Sequence, residues 1–349
     1  MIDISFYKNK KVLITGHTGF KGTWLCHILH QAGAEIIGYS LEPSTNPSLF
    51  VQTGLENKMY SIIADLRDRE KLTKAVKEIE PDIVFHLAAQ PLVRLSYREP
   101  ALTYEINIMG TVNLLDTIRI TPSIRSFVNI TTDKVYENKE WHWGYRENEN
   151  LCGFDPYSNS KSCSELVTYS YRNSFFRNKE AAAVSTARSG NVIGGGDYSE
   201  DRIIPDCVRA VQAGTAIMVR NPYSTRPYQH VLDTLYGYLL LAERQYSDKN
   251  IEGAYNFGPD DESCLSTGDL VKLFCFSWGK NALWKEQGDN GPHEANFLRL
   301  DCSKAKTILG WKPLWNIETA VEKVVELEKC ETDKERIVCL EDQIREFFS

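Results

Sequence analysis

The stretch from Lys11 to Gly33 limits what this chain can fold into more than any other. Lys11-Val12-Leu13-Ile14-Thr15 reads as a buried strand. It runs into Gly16-His17-Thr18-Gly19-Phe20-Lys21-Gly22, a G-x-x-G-x-x-G turn. A helix follows, with Phe20, Trp24, Leu25, Ile28 and Leu29 on one face and Gly33 as its capping glycine. Strand, three-glycine turn and amphipathic helix in this order form the phosphate-binding corner of a dinucleotide fold. Gly16 permits the tight turn, Gly19 lets a pyrophosphate approach the backbone, and Gly22 lets helix and sheet pack closely. The helix N-terminus favours the negative charge. Thr18, Phe20 and Lys21 share the turn and join the three glycines as candidate cofactor contacts.

The alternation continues. Glu35–Ser40, Ser61–Ala64, Asp82–Leu87, Ser126–Thr131 and Ala182–Ala187 read as strands, and Arg67–Ile79, Ala101–Ile120 and Tyr157–Phe176 as helices. Strands alternating with helices of this length predict an α/β protein with a doubly wound parallel (Rossmann) sheet. The pattern breaks after Arg188. Glycine-rich sequence from Gly190 to Pro205 leads into a smaller, irregular α/β C-terminal lobe, closed by helices around Glu318–Lys329 and Asp333–Phe347. The expected division is a dinucleotide-binding domain over residues 1–188, carrying the catalytic helix, and mainly a substrate lobe over 189–349, interleaved with the first.

The end of the second strand ordinarily carries a carboxylate for the adenosine ribose. Here it carries Ser40, then Glu42, with no arginine to receive a 2′-phosphate, so NAD is favoured over NADP. Asp65-Leu66 after the third strand is placed to meet the adenine. Ala88-Ala89 after the fourth lets the cofactor lie close.

Tyr157-Ser158-Asn159-Ser160-Lys161 puts a tyrosine and a lysine one helical turn apart, on one face. Tyrosine, with a reference pKa of about 10, is a poor base near neutrality. A nearby ammonium and an oxidised nicotinamide would lower that value, so that the phenolate removes a hydroxyl proton during oxidation. Thr131-Thr132 ends the fifth strand, where a hydroxyl helps Tyr157 hold the substrate oxygen.

Composition narrows the partners. The 349 residues are 42% hydrophobic and 25% charged, with a formal net charge of −7. That balance gives no support for a nucleic-acid or anionic-membrane partner. No apolar run reaches membrane-span length, and Met1 to Lys11 is too polar for a signal peptide. The nine cysteines include no C-x-x-C pair, which argues for reduced thiols in a cytoplasmic protein and against a zinc site. His142 and His293 have no spaced partners, so no metal is assigned. His86 reads as a core histidine. Asn129-Ile130-Thr131 matches a glycosylation acceptor but falls in a buried strand.

Together with His86-Leu87-Ala88-Ala89, Asn107 and Leu309-Gly310-Trp311-Lys312-Pro313, these motifs resemble the extended short-chain dehydrogenase/reductase family over nearly the whole chain. Members mostly act on nucleotide-linked sugars and keep NAD tightly bound. The resemblance adds Asn107 and Thr131 to the expected cofactor contacts, beside Tyr157 and Lys161. Thr132-Asp133-Lys134-Val135-Tyr136 then resembles the sugar-nucleotide 4,6-dehydratases, many of which carry Asp-Glu where this chain has Asp-Lys. That variant, with Ala89-Gln90-Pro91-Leu92-Val93-Arg94, Arg188 to Asp197 and Arg226 to Leu232, resembles the branch acting on CDP-glucose.

The reaction so implied oxidises C4, eliminates water across C5 and C6, and reduces C6, regenerating NAD. Tyr157 and Lys161 serve the oxidation with Thr132; Asp133 is the expected acid and Lys134 the expected base. Gln90, Arg94, Thr132, Asn191, Arg202, Arg220, Arg226 and His230 are the expected substrate contacts, the arginines because their paired donors match phosphate oxygens. The family pairs through the helices at Ala101–Ile120 and Tyr157–Phe176, which implies a homodimer, and the product suits deoxysugar synthesis for a bacterial surface glycan such as O-antigen. The rivals are a GDP- or dTDP-linked dehydratase, a nucleotide-sugar 4-epimerase, which needs no acid–base pair after Thr132, and a non-catalytic NAD-binding sensor.

Overall fold

The computed structural model describes residues 4–279, 282–288 and 297–349; His293 lies outside them. Its strands are β1 (Lys11–Thr15), β2 (Glu35–Ser40), β3 (Tyr60–Ile63), β4 (Ile83–His86), β5 (Ser126–Ile130), β6 (Ala183–Ser189), β7 (Asn191–Ile193), β8 (Ile217–Val219), β9 (Thr225–His230), β10 (Ala254–Phe257), β11 (Cys264–Ser266) and β12 (Trp284–Glu286). The α-helices are α1 (Phe20–Gln31), α2 (Leu49–Gln52), α3 (Arg69–Ile79), α4 (Val93–Arg98), α5 (Pro100–Tyr104), α6 (Gly110–Ile118), α7 (Pro156–Phe175), α8 (Ile203–Gln212), α9 (Val231–Ser247), α10 (Thr267–Trp278), α11 (Ile317–Glu328) and α12 (Asp333–Phe348).

Seven strands form one parallel sheet in the order β10-β6-β5-β4-β1-β2-β3. The winding direction reverses between β1 and β4, the switch point at whose carboxyl ends ligands bind in such sheets. β1, β4, β5 and β6 are almost wholly buried because helices cover both faces. On one face Trp24, Leu25, Ile28 and Leu29 of α1 pack with Leu235 and Leu239 of α9 and with Trp311 and Phe347. On the other, Leu72 and Val76 of α3, Leu114, Leu115 and Ile118 of α6, and Phe176 cover the sheet. Each such side chain stabilises the fold by about 1.5–3 kcal/mol when fully buried.

The sequence reading finds six strands; the seventh, β10, comes from the C-terminal half, and α9 packs beside it. A four-residue run of Ala-Tyr-Asn-Phe is too short to announce itself. The C-terminal half also builds a separate core from α8, α10, α11 and β9, with small sheets β11-β9-β7 and β12-β8. The helix expected over Ala101–Ile120 is interrupted. A π-helical turn, Glu105–Met109, joins α5 to α6 and centres on buried Asn107. No described helix is long and apolar enough to cross a membrane.

Candidate active site

The glycine turn closes as its chemistry requires. Gly16 has φ +78, and a Cβ there would lie 2.7 Å from the Ala88 nitrogen. A Cβ on Gly22 would lie 2.1 Å from the Gly16 oxygen. Gly19 caps α1 without a side-chain acceptor, so the first helical N–H groups face outward for an anion. These residues fit a dinucleotide diphosphate. Ser40 Oγ lies 2.9 Å from Thr18 Oγ1, and Thr18 donates to the Leu41 carbonyl. Asp65 pairs with Arg67 at 2.6 Å, and Leu66 is buried beside it. Ala88 and Ala89 are half-buried at the end of β4.

Asp155 accepts from the Ser158 N–H at 3.0 Å and so caps α7, with Pro156 in its first turn. That start sets Tyr157 and Lys161 one turn apart above the end of β5. The Tyr157 N–H donates to Ser96 Oγ on α4. Lys161 Nζ donates to the Ile130 carbonyl at 3.0 Å. Burial pulls Lys161 down to about 8, against Glu165. Burial pushes Tyr157 up to about 12; the Thr132 hydroxyl and the Arg202 guanidinium pull it back.

Thr132 Oγ1 donates to Asp133 Oδ1 at 2.9 Å, and the Lys134 N–H lies 3.4 Å from Thr132 Oγ1. Asp133 is 1% exposed, and its Oδ2 has no hydrogen-bond partner among the described residues. Burial raises its pKa, opposed by Lys134, Thr132, Arg226 and Lys21. A buried carboxyl held towards its neutral form suits an acid. Lys134 is half-buried next to it.

Lys21 does more than line the glycine turn. Its Nζ donates to Ser189 Oγ at 3.2 Å at the end of β6, and Ser189 Oγ lies 2.7 Å from the Tyr238 hydroxyl. Burial, then Arg202 and Lys161, lower Lys21 to about 7.

Four further expected contacts make hydrogen bonds within the chain. The Thr131 hydroxyl donates to the buried Glu165 carboxylate at 2.5 Å. Gln90 spends its amide on Leu92 and Thr103, so it shapes its own loop. Asn107 accepts from the Gln90 N–H and donates to the Gln90 carbonyl and Ser160; it clamps that loop to α7. His230 is buried between Trp24 and Trp315, and its Nδ1 accepts from the Leu232 N–H to cap α9. Burial lowers it to about 3, the state of a core histidine.

The arginines gather on the C-terminal side. Arg202 pairs with Asp197 at 2.8 Å, Arg220 with Asp201 at 2.8 Å, and Arg94 with Asp201 at 3.7 Å. Arg226 is buried on β9, where Asp133 feels its charge. Asn191 begins β7, opposite Tyr228 of β9.

The sequence reading misses the scaffold behind the site. Arg188 makes a two-armed pair with Glu165 at 2.9 and 2.8 Å and donates to the Tyr136 hydroxyl. Thr186 and Thr131 complete the Glu165 carboxylate. The available signal is Glu165 itself, one turn beyond Lys161 on the same helix face. Among the described residues no group of His, Cys, Asp and Glu is arranged to hold a metal.

The model of the family described as GDP-mannose 4,6 dehydratase matches residues 13–324. The chain belongs to that family. It is 47% identical over 356 residues to the CDP-glucose 4,6-dehydratase of Salmonella typhimurium, covering 100% of this chain and 99% of that protein. The dTDP-glucose 4,6-dehydratase of Streptomyces antibioticus is 26% identical over 331 residues, 90% of this chain and 91% of that one. The UDP-glucose 4-epimerase of Thermus thermophilus, solved with NAD, superposes with a TM-score of 0.80 at 22% identity, over 92% of this chain and 100% of the other. That last likeness is one of fold. The relatives of this family member include dehydratases for several nucleotides, and the CDP-glucose enzyme shares far more of its sequence than the dTDP-glucose one.

Proposed function

We propose that this protein is an NAD-dependent CDP-glucose 4,6-dehydratase, a hydro-lyase that forms CDP-4-keto-6-deoxyglucose and water. The observation that carries this reading is the end-to-end 47% identity to the Salmonella enzyme. The glycine turn, Ser40, Thr18, Ala88 and the Tyr157–Lys161 turn would hold the dinucleotide. Bound NAD would supply the oxidising equivalent at C4 and its return at C6.

The chain's own residues handle the protons. Tyr157 takes the 4-hydroxyl proton, with Thr132 orienting the same oxygen. The C4 ketone acidifies the C5 hydrogen. Lys134 takes that proton, Asp133, held towards its neutral form, gives one to the departing 6-hydroxyl, and Lys134 returns its proton to C5 as C6 is reduced. Arg94, Arg202, Arg220 and Arg226 offer cations to the diphosphate, and Asn191 offers an amide to the sugar end. The fold pairs as a homodimer through the 101–120 and 157–176 helices, a reading supported by exposed Met109, Leu166 and Tyr169 on them. It works in the cytoplasm.

The test is incubation with CDP-glucose and, separately, dTDP-, GDP- and UDP-linked sugars, with mass spectrometry for loss of 18 mass units, one water. Loss of water from CDP-glucose in preference to the others is the expected result. Inversion at C4 without water loss would make the protein an epimerase and leave Asp133 and Lys134 without a role. A Lys134→Met protein that eliminates water at the normal rate would remove Lys134 from the mechanism.

A further inference from the structure

Three arginines offered to a substrate diphosphate already hold carboxylates from a single loop, the segment between β7 and α8. The two aspartates of that loop differ. Asp197 is buried, and besides Arg202 its other oxygen accepts from the Ser199 N–H at 3.1 Å. It is part of the fold. Asp201 is 39% exposed, and one oxygen, Oδ1, faces both Arg220 Nη1 at 2.8 Å and Arg94 Nε at 3.7 Å. Its backbone sits at φ 57, a left-handed conformation that a non-glycine residue adopts at a cost. One exposed carboxylate therefore bridges two arginines from separate elements.

We propose that Asp201 is a resident stand-in for a substrate phosphate, bridging Arg94 and Arg220 until the diphosphate of the nucleotide sugar displaces it. The inference rests on the reading of the chain as a nucleotide-sugar enzyme. Ion pairs this exposed hold weakly. A diphosphate brings more charge and more acceptor oxygens than one carboxylate, and arginine meets phosphate with paired donors. Before displacement, Asp201 offsets the repulsion between two like charges, while Asp206 on α8 reaches Arg220 from 4.0 Å. It also sets a threshold: a ligand with a single weak anionic group does not outcompete it.

The test is calorimetric titration of the full-length protein with CDP-glucose, CDP and inorganic pyrophosphate. Asp201→Asn removes the charge and tolerates the left-handed backbone; Asp201→Gly removes both charge and strain. Glu200→Gln, next in sequence, controls for a general change of field. Both Asp201 variants should bind the diphosphates about three- to tenfold more tightly than the wild type, the range that losing a weak competing ion pair allows. Weaker or unchanged binding, or an equal gain from Glu200→Gln, overturns the proposal. Failure of every form to bind cytidine nucleotides defeats the functional reading instead. Pyrophosphate then still reads Asp201 alone, a gain supporting the proposal and no gain overturning it.

Discussion

Two ion-pair systems in this molecule are built to different rules. Arg188 and Glu165 are each 3% exposed and share at least four hydrogen bonds with Thr131, Thr186, Tyr136 and one another. Arg220, Arg94 and Asp201 are 31%, 30% and 39% exposed and meet through one oxygen. A buried pair cannot be traded for a ligand, because removing one partner strands the other charge away from water. An exposed pair can be traded cheaply. The contrast separates residues that hold Tyr157 and Lys161 in place from residues that greet the substrate.

Breaking the buried pair should have the largest effect. Arg188→Met leaves buried Glu165 without its counter-charge, and should cost about 3–5 kcal/mol in urea unfolding. A cost near that of a surface substitution would erase the contrast. Next comes the chemistry: Asp133→Asn should lower kcat by about 100-fold or more, as loss of a general acid does, while unfolding stays nearly unchanged or improves, since the amide carries no charge to be desolvated. Arg220→Ala should raise KM for CDP-glucose by about tenfold and shift stability by less than about 1 kcal/mol; a large stability loss there would put the exposed pair in the scaffold class.

Acid sharpens the same distinction. Burial works against the Glu165 carboxylate, but Arg188, Thr131 and Thr186 together hold it below its ordinary value of 4.5. A depressed folded pKa gives stability that is present above about pH 4.5 and is lost as pH falls through the folded value. Glu165→Gln should flatten that acid limb in a pH series of melting temperatures. The smallest effect concerns Lys21. Its folded value near 7 lies below the ordinary 10.5, so it costs stability increasingly as pH falls from 10.5 to 7. Lys21→Met should therefore raise Tm by about 1–3 °C at pH 6 and by less at pH 10.

Much of this architecture is legible in the sequence because its signals are local. The glycine turn, the limits of β2 and the Tyr157–Lys161 spacing depend on neighbours a few residues away. What is not legible depends on partners far along the chain. β10 is a short run that pairs with β6 more than sixty residues earlier. Thr131, Gln90, Asn107 and His230 are polar residues beside the site, and their type says nothing about which way each side chain turns. Thr131 turns inward because Glu165 needs a donor, and His230 because α9 needs a cap. The Arg188–Glu165 pair is invisible until α7 is laid over β6. Likewise, the sequence offers Arg94, Arg202 and Arg220 as open hands, while the structure shows them already holding Asp197 and Asp201.

The most direct test of the central claim uses CDP-glucose carrying deuterium at C4. If Tyr157, Asp133 and Lys134 act in one turnover around a dinucleotide that never leaves, the deuterium should reappear at C6 of the 4-keto-6-deoxy product, retained within each molecule when labelled and unlabelled substrates are mixed. Deuterium still at C4 of a product inverted there, or absent from C6 of a dehydrated one, would contradict the account.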